Sequence, residues 1–447
     1  MLRIGWVRGI ANGAIFAFLM VSCGEGGGSV GSDVTGGPPS VGGGGGAGGI
    51  GVGQLDTTFG QAGGTITPIA SSGDIDEANA VAIQKTDGKI VLAGRSDNGS
   101  GTGNTDFAVV RYNPSGSLDT AFGGDGKVTT FTQDTTPADG FGDTNAIAHA
   151  VVVQPDGKIV AAGLSDSDFA LIRYNANGTL DTTFSGDGIV VTSVGGGDVI
   201  RAMALQPSDG KILVAGESSG DFVVARYNTN GTLDTSFGGT GIVVTAMAGS
   251  SSIYALALQP DGKIVVAGVS DGRFALARYS TAGVLDIAFD ADGVADGGPG
   301  QANAIALQAD GKIVAGGFVN GSSNRDFALL RFDATGAPDL SFGLFGKVVT
   351  SVGSDDAEIN GLVVHPSGAM TAAGFSNNGT DLDFALVGYT ATGAFDVTFG
   401  ETGRVITPIS DFDDAAKAVA LQTDGKVVVA GSADADFVVV RYYAPGL

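Results

Sequence analysis

One unit recurs seven times in the chain, and this repetition restricts the fold more than any other feature. Its marker, Asp-x-x-Phe, stands at Asp56/Phe59, Asp119/Phe122, Asp181/Phe184, Asp234/Phe237, Asp286/Phe289, Asp339/Phe342 and Asp396/Phe399. An Asp-Gly-Lys triplet recurs at Asp87, Asp156, Asp209, Asp261, Asp310 and Asp424, with Ser367-Gly368-Ala369 as a degenerate seventh copy. Asp-Phe opens a further segment at Asp106, Asp168, Asp221, Asp326, Asp383 and Asp436, and Arg273-Phe274 is the exception. That segment ends in Arg-Tyr or Arg-Phe, except at Gly388-Tyr389. The triplets are about 56 residues apart. A period of this size marks stacked supersecondary units, none of which can bury its apolar face alone.

Each unit reads as four short strands. In the fourth, Ala255 to Gln259 is one strand, Pro260-Asp-Gly a tight turn, and Lys263 to Gly268 the second strand. Asp-Gly favours such a turn because both residues tolerate positive φ. Phe274 to Tyr279 is the third strand, and Gly-Val-Leu-Asp-x-x-Phe leads to the fourth. No window shows a helical period. The expected fold is all-β: a seven-bladed β-propeller of four-stranded antiparallel blades. Gly64 to Ile69 matches the fourth strands that begin at Gly126 and Gly346, while the chain stops soon after Tyr442. The N-terminal strand is therefore expected to close the ring as the outer strand of the last blade, leaving no open edge. Pro68 and Pro408 suit an outer edge.

The combined unit, Leu-Asp-Thr-x-Phe-Gly, then Ala-Val-Ala-Leu-Gln-Pro-Asp-Gly-Lys-Ile-Val-Val-Ala-Gly, then Asp-Phe-x-x-x-Arg-Tyr-Asn, resembles the delta-60 repeat of bacterial exported proteins. The resemblance covers about residues 55 to 447. It implies a secreted or envelope-anchored protein and brings no catalytic residues with it.

The N-terminus agrees with export. Arg3 and Arg8 precede an apolar run from Ile10 to Val21, too short to span a bilayer as a helix. Met20-Val21-Ser22-Cys23 resembles a bacterial lipobox, with Met20 in place of the usual leucine. The expected organisation is a lipoprotein signal peptide over 1–22, then a lipidated Cys23 with a glycine-rich tether over 23–54. The propeller follows over 55–447. An ordinary secretory signal with an incidental cysteine is the alternative. The expected location is the bacterial cell envelope, as an outer-membrane or surface lipoprotein held only by its lipid.

Composition narrows the function. Lys and Arg number 23 against 47 Asp and Glu, a formal charge of −24, which disfavours nucleic acid. One cysteine excludes an intrachain disulfide, and two histidines, His149 and His365, exclude a multi-histidine metal centre. His149 is the one candidate base, and no nucleophile motif accompanies it. Acidic loops at Asp74/Asp76/Glu77, Asp290/Asp292/Asp296, Asp355/Asp356/Glu358 and Asp411/Asp413/Asp414 are candidates for Ca2+. A solvated acidic surface is the simpler reading.

Comparing the copies separates scaffold from site. The recurrent Asp106/Arg111-type pairs are expected to be structural ion pairs or strand-end hydrogen bonds, the Asp-x-x-Phe phenylalanines core plugs, and the recurrent glutamines caps of backbone groups. One position varies between small neighbours: Asn79, His149, Arg201, Tyr254, Asn303, Asn360 and Lys417. If the first strand lines the channel, these side chains ring one mouth and are the candidate ligand-binding set. The variable connections, at Ser96 to Thr105, Phe131 to Thr144, Asn320 to Arg325 and Asn377 to Leu382, are expected on that same face. The reading is a monomeric binding or adhesion module for an envelope or extracellular protein or polysaccharide. A metal-dependent propeller enzyme and a purely structural surface protein are the competing readings.

Overall fold

The computed structural model describes residues 52–69, 75–97, 104–131, 145–321 and 323–444. The signal peptide, Cys23 and most of the tether lie outside these residues, as do Asp74 and most of the two longest variable loops. Twenty-eight strands form seven four-stranded sheets, each an antiparallel meander, as the repeats lead one to expect. Blade 1 runs Asp76–Ile83, Ile90–Asp97, Thr105–Tyr112, Lys127–Thr130. The seventh blade is split: Asp414–Leu421, Val427–Ala433 and Asp436–Tyr442 come from the C-terminal end, and Gly64–Thr67 adds the fourth strand by pairing with Asp436–Tyr442. Residues 52–54, assigned to the tether above, belong to the propeller. Gly53 N–H donates to Tyr443 O and Tyr443 N–H to Gln54 O.

Each first strand touches the first strands of both neighbouring blades, and the seventh returns to the first, so these strands form the inner ring. They carry alanine or glycine at one fixed position, from Ala80 and Ala150 to Gly361 and Ala418, which lets neighbouring inner strands approach closely. Second and third strands are buried on both faces, so they read as unbroken apolar runs rather than alternating ones. The core lies between blades. Phe122 packs with Ala80 and Val91 of its own blade and with Ala146 and Ile159 of the next.

The polar repeats tie blade to blade. The expected Asp106/Arg111 pair does not form. Arg111 instead pairs with Asp119 at 2.7 Å, because Asp106 and Arg111 lie at opposite ends of one extended strand. Arg111 also lies over the Phe122 ring and donates to Ala176 O in blade 2. Lys89 of the Asp-Gly-Lys turn reaches the same Asp119 at 3.1 Å. The set repeats at Asp181, Asp234, Asp286, Asp339 and Asp56. Three of the recurrent glutamines serve this set: Gln206, Gln308 and Gln422 accept from the arginine Nη1, whereas the Oε1 atoms of Gln84, Gln154 and Gln259 are buried with no hydrogen-bond partner among the described residues. Blade 6 has lost arginine, lysine and glutamine together, as Gly388, Ala369 and His365. Phe399 fills the arginine's space, so a Cβ on Gly388 would stand 2.5 Å from its Cβ. His365 sits 2.9 Å from Thr371 Oγ1, a structural histidine.

A second tie joins each buried tyrosine to a threonine in the preceding blade's outer strand, as in Tyr174 with Thr130 at 2.7 Å and Tyr442 with Thr407 at 2.9 Å. One junction departs. The outer strand Val294–Pro299 carries no threonine, and the facing residue is Phe332. Donor and acceptor were lost together, which avoids a buried unpaired hydroxyl.

These networks predict an acid limit. Burial alone would raise the carboxyls of Asp56, Asp119, Asp181, Asp234 and Asp339, but their lysine, arginine and hydroxyl partners hold each below its ordinary value. Asp286 is lowered too, chiefly by Lys263. Such groups bind protons more tightly when unfolded, so their stabilisation is present above about pH 4 and is lost below it. Asp436 runs the other way. Burial and the charges of Asp76 and Asp434 push it up to about 6, so its contribution is present below about pH 4 and lost as pH rises through 6. His149 and His365 oppose it: burial lowers both imidazoles, so their contribution is present above about pH 6.5 and is lost as pH falls. With these opposed shifts the melting temperature is expected to fall modestly from pH 7 to about 4.5 and to collapse below about pH 4. A melting temperature held constant down to about pH 3 would contradict this account.

Candidate functional site

All seven candidate residues occupy one structural position. In every blade the pairing of first and second strands skips one residue, and the skipped residue is Asn79, His149, Arg201, Tyr254, Asn303, Asn360 or Lys417. Each is the extra residue of a β-bulge, a device that re-aims a side chain and is frequent beside functional sites. All seven are half-buried. They lie nearer the end of the inner strand that faces the variable connections. Asp97 N–H donates to Ile75 O and Ser219 N–H to Gly196 O on that side, so second-to-third and fourth-to-first connections emerge together.

A glycine holds each bulge open. Gly94, Gly163, Gly216, Gly268, Gly317, Gly374 and Gly431 end the apolar run of the second strand in every copy. A Cβ there would fall 1.8–2.0 Å from the carbonyl oxygen two residues before the bulged one, as at Val199 O for Gly216. The sequence displayed this signal as the invariant Ala-Gly or Gly-Gly of each repeat. A glycine at one fixed place in every strand marks close backbone approach.

The ring is not uniform. Asn79, Asn303 and Asn360 brace it: each Nδ2 donates to the carbonyl just before the next bulge, at Ala148, Ile359 and Ala416, over 2.8–3.0 Å. Blades 2 to 4 differ. Arg201 lies 5.0 Å over the Tyr254 ring and pairs with Glu217 at 2.9 Å. Its Nε–H is buried and has no hydrogen-bond partner among the described residues. His149 is pushed down to about 3 by burial and by the Arg201 and Arg95 guanidiniums, so it is neutral at physiological pH. Arg95 is matched by Glu77 at 3.0 Å, and Arg325 by Glu358. The mouth therefore offers neutral imidazole, phenol and guanidinium groups in a nearly charge-balanced setting.

The acidic loops do not converge. Among the described residues no three His, Cys, Asp or Glu side chains are arranged to hold a metal. Asp292 accepts from Val294 N–H and Asp296 pairs with Arg273, so the stretch most like a calcium loop is committed to its own turn. Thr380, Asp381, Asp411, Asp413, Asp434 and Phe412 line a groove of about 390 Å³ between blades 6 and 7. No helix among the described residues is long and apolar enough to cross a membrane.

No curated protein matches the chain in sequence. Among solved structures, selenomethionine-substituted virginiamycin B lyase from Staphylococcus aureus is similar, with 10% identity, 85% of this chain and 99% of that one covered, and a TM-score of 0.50. Sqt1 from Chaetomium thermophilum gives 15% identity, 83% and 97% coverage, and a TM-score of 0.47. Likeness at this identity concerns the fold alone. The family described as "Domain of unknown function (DUF5122) beta-propeller" matches residues 85–122, 154–184, 208–237, 259–289, 308–342 and 422–444. Blade 6, which lost its arginine, lysine and glutamine, contributes no matched segment. The protein is a repeat-built β-propeller, six of whose seven blades match the family described as a β-propeller domain of unknown function.

Proposed function

We propose that the protein is an envelope-anchored binding module of the delta-60 type, held by a lipidated Cys23, whose ligand enters the mouth ringed by the bulged residues. The observation that carries this reading is the buried, unpartnered Nε–H of Arg201 between Tyr254 and His149. A buried donor without an acceptor is costly unless a ligand supplies one. Arg201 is matched by Glu217, and the neighbouring Arg95 and Arg325 by Glu77 and Glu358, which favours a neutral polar ligand such as a polysaccharide segment over an anion. The mouth varies blade by blade, as a recognition surface would, while the Asp-Gly-Lys turn recurs in six of the seven blades.

The test is titration calorimetry with neutral oligosaccharides. Binding that weakens at least tenfold in both Arg201→Ala and Tyr254→Ala, with Lys417→Ala weaker in effect, is the expected result. Binding indifferent to both changes would remove the mouth from the function. Turnover abolished by a chelator would favour the metal-dependent enzyme instead.

A further inference from the structure

The loops between third and fourth strands carry a second departure from the repeat. The exposed residue after the aspartate of Asp-x-x-Phe is threonine at Thr57, Thr120, Thr182 and Thr235, but Ile287, Leu340 and Val397 in three consecutive blades. These three are 64–70% exposed. Val284 stands at 64% exposure where the earlier repeats have Ser117, Thr179 and Thr232. In blade 5 the following turn reads Leu344-Phe345, 73% and 76% exposed, where blades 1 and 2 have Gly-Asp. Phe345 holds φ +55°, a conformation that bulky residues rarely adopt. An exposed phenylalanine kept at the tip of a turn that prefers Asn or Gly is a local cost without a packing return.

The apolar residues form one arc. Loops of neighbouring blades touch: Asp290 N–H donates to Thr335 O, and Gly393 packs against Phe342. At the end of the arc Gly400 N–H donates to Val52 O. Val52 thus takes the place that Asn177 and Asn230 hold for Gly123 and Ser185 at earlier junctions. Val52, the first described residue, therefore lies at the turn of Val397, on the face opposite the bulge ring. Cys23 stands 29 positions before it.

We propose that this arc of blades 4 to 6 is a bilayer-contacting surface, seated on neutral lipid with the bulge ring turned away from the membrane. A chain of charge −24 has no attraction for anionic headgroups, so apolar side chains rather than basic ones make the contact. The proposal rests on the anchored-module reading for what brings the chain to a membrane.

The two fail separately. The mass of the Cys23 peptide reports acylation, whereas lipid quenching reports which face meets the bilayer, however the chain arrives. The full chain carrying Phe345→Trp is mixed with phosphatidylcholine vesicles bearing brominated acyl chains. Phe412→Trp, on the opposite face, is the control, and emission from Trp6, the only native tryptophan, is subtracted with the unsubstituted chain. F345W is expected to shift to the blue and lose more than half its emission, while F412W is unchanged. Adding I287T, L340T and V397T, which restore the residue of the other blades, should cut that quenching at least fivefold while circular dichroism stays constant. Equal quenching of F345W and F412W overturns the proposal. So does a blue shift that needs no vesicles and grows with protein concentration, which would give the arc to a second copy of the chain.

Discussion

Replacing Asp56 by alanine should destabilise the propeller by about 3–5 kcal/mol, the usual cost of removing one partner from a buried charge network. Asp56 is fully buried. It meets Lys426 Nζ at 2.8 Å, Arg441 Nη2 at 2.7 Å and the Tyr443 hydroxyl at 3.0 Å, partners 370 or more positions away in sequence. These contacts and the pairing of Gly64–Thr67 with Asp436–Tyr442 close the ring. Without Asp56, Arg441 loses its carboxylate partner in the split blade and Lys426 keeps only Asp424 at 3.8 Å. Asp396→Ala is the internal control. Its blade lacks the arginine and lysine, and among the described residues the Asp396 carboxylate accepts only from Thr398 of its own turn. That change should cost about 1 kcal/mol or less. Equilibrium unfolding in denaturant measures both. Equal losses at the two sites would show that closure does not depend on the network.

The second large effect is expected from Gly216→Ala. Its added Cβ would lie 1.8 Å from Val199 O, against backbone that has no rotamer to yield. Overpacking of this kind costs about 1–3 kcal/mol, and more where main chain must move. Relief requires the bulge to flatten, and that would turn Arg201 away from Tyr254. The same substitution should therefore lower stability and abolish ligand binding at the mouth. Gly272→Ala is the contrasting case, for no atom lies within 4 Å of its Cβ position, although its φ of +71° still disfavours alanine. If Gly216→Ala melts like the unsubstituted protein, the bulge is not what the glycine protects.

Much of this was legible in the residues. Strand count, blade count and the closing role of Gly64–Thr67 follow from seven copies of one pattern, because turn chemistry and apolar runs act locally and repeat. The seven bulged positions were visible as variation between fixed neighbours, though not as bulges. Strand-opening aspartates such as Asp221, which accepts from Met247 N–H, make strand-end hydrogen bonds rather than ion pairs with the strand's arginine. Asp106 and Arg111 looked like partners because both recur in one segment, whereas the arginine's partner is the aspartate of the following connection, brought back by the chain's reversal.

Sequence alone thus determined the repeat, the all-β propeller and its closure, since each depends on short-range pattern multiplied seven times. The tertiary structure decided which polar residues meet. It placed Arg201 over Tyr254 and beside His149 across successive blades, braced the rest of the ring with Asn79, Asn303 and Asn360, and gathered Ile287, Leu340 and Val397 into one arc. Those neighbours are separated by about 50 residues of chain, and only the angular step from blade to blade brings them together.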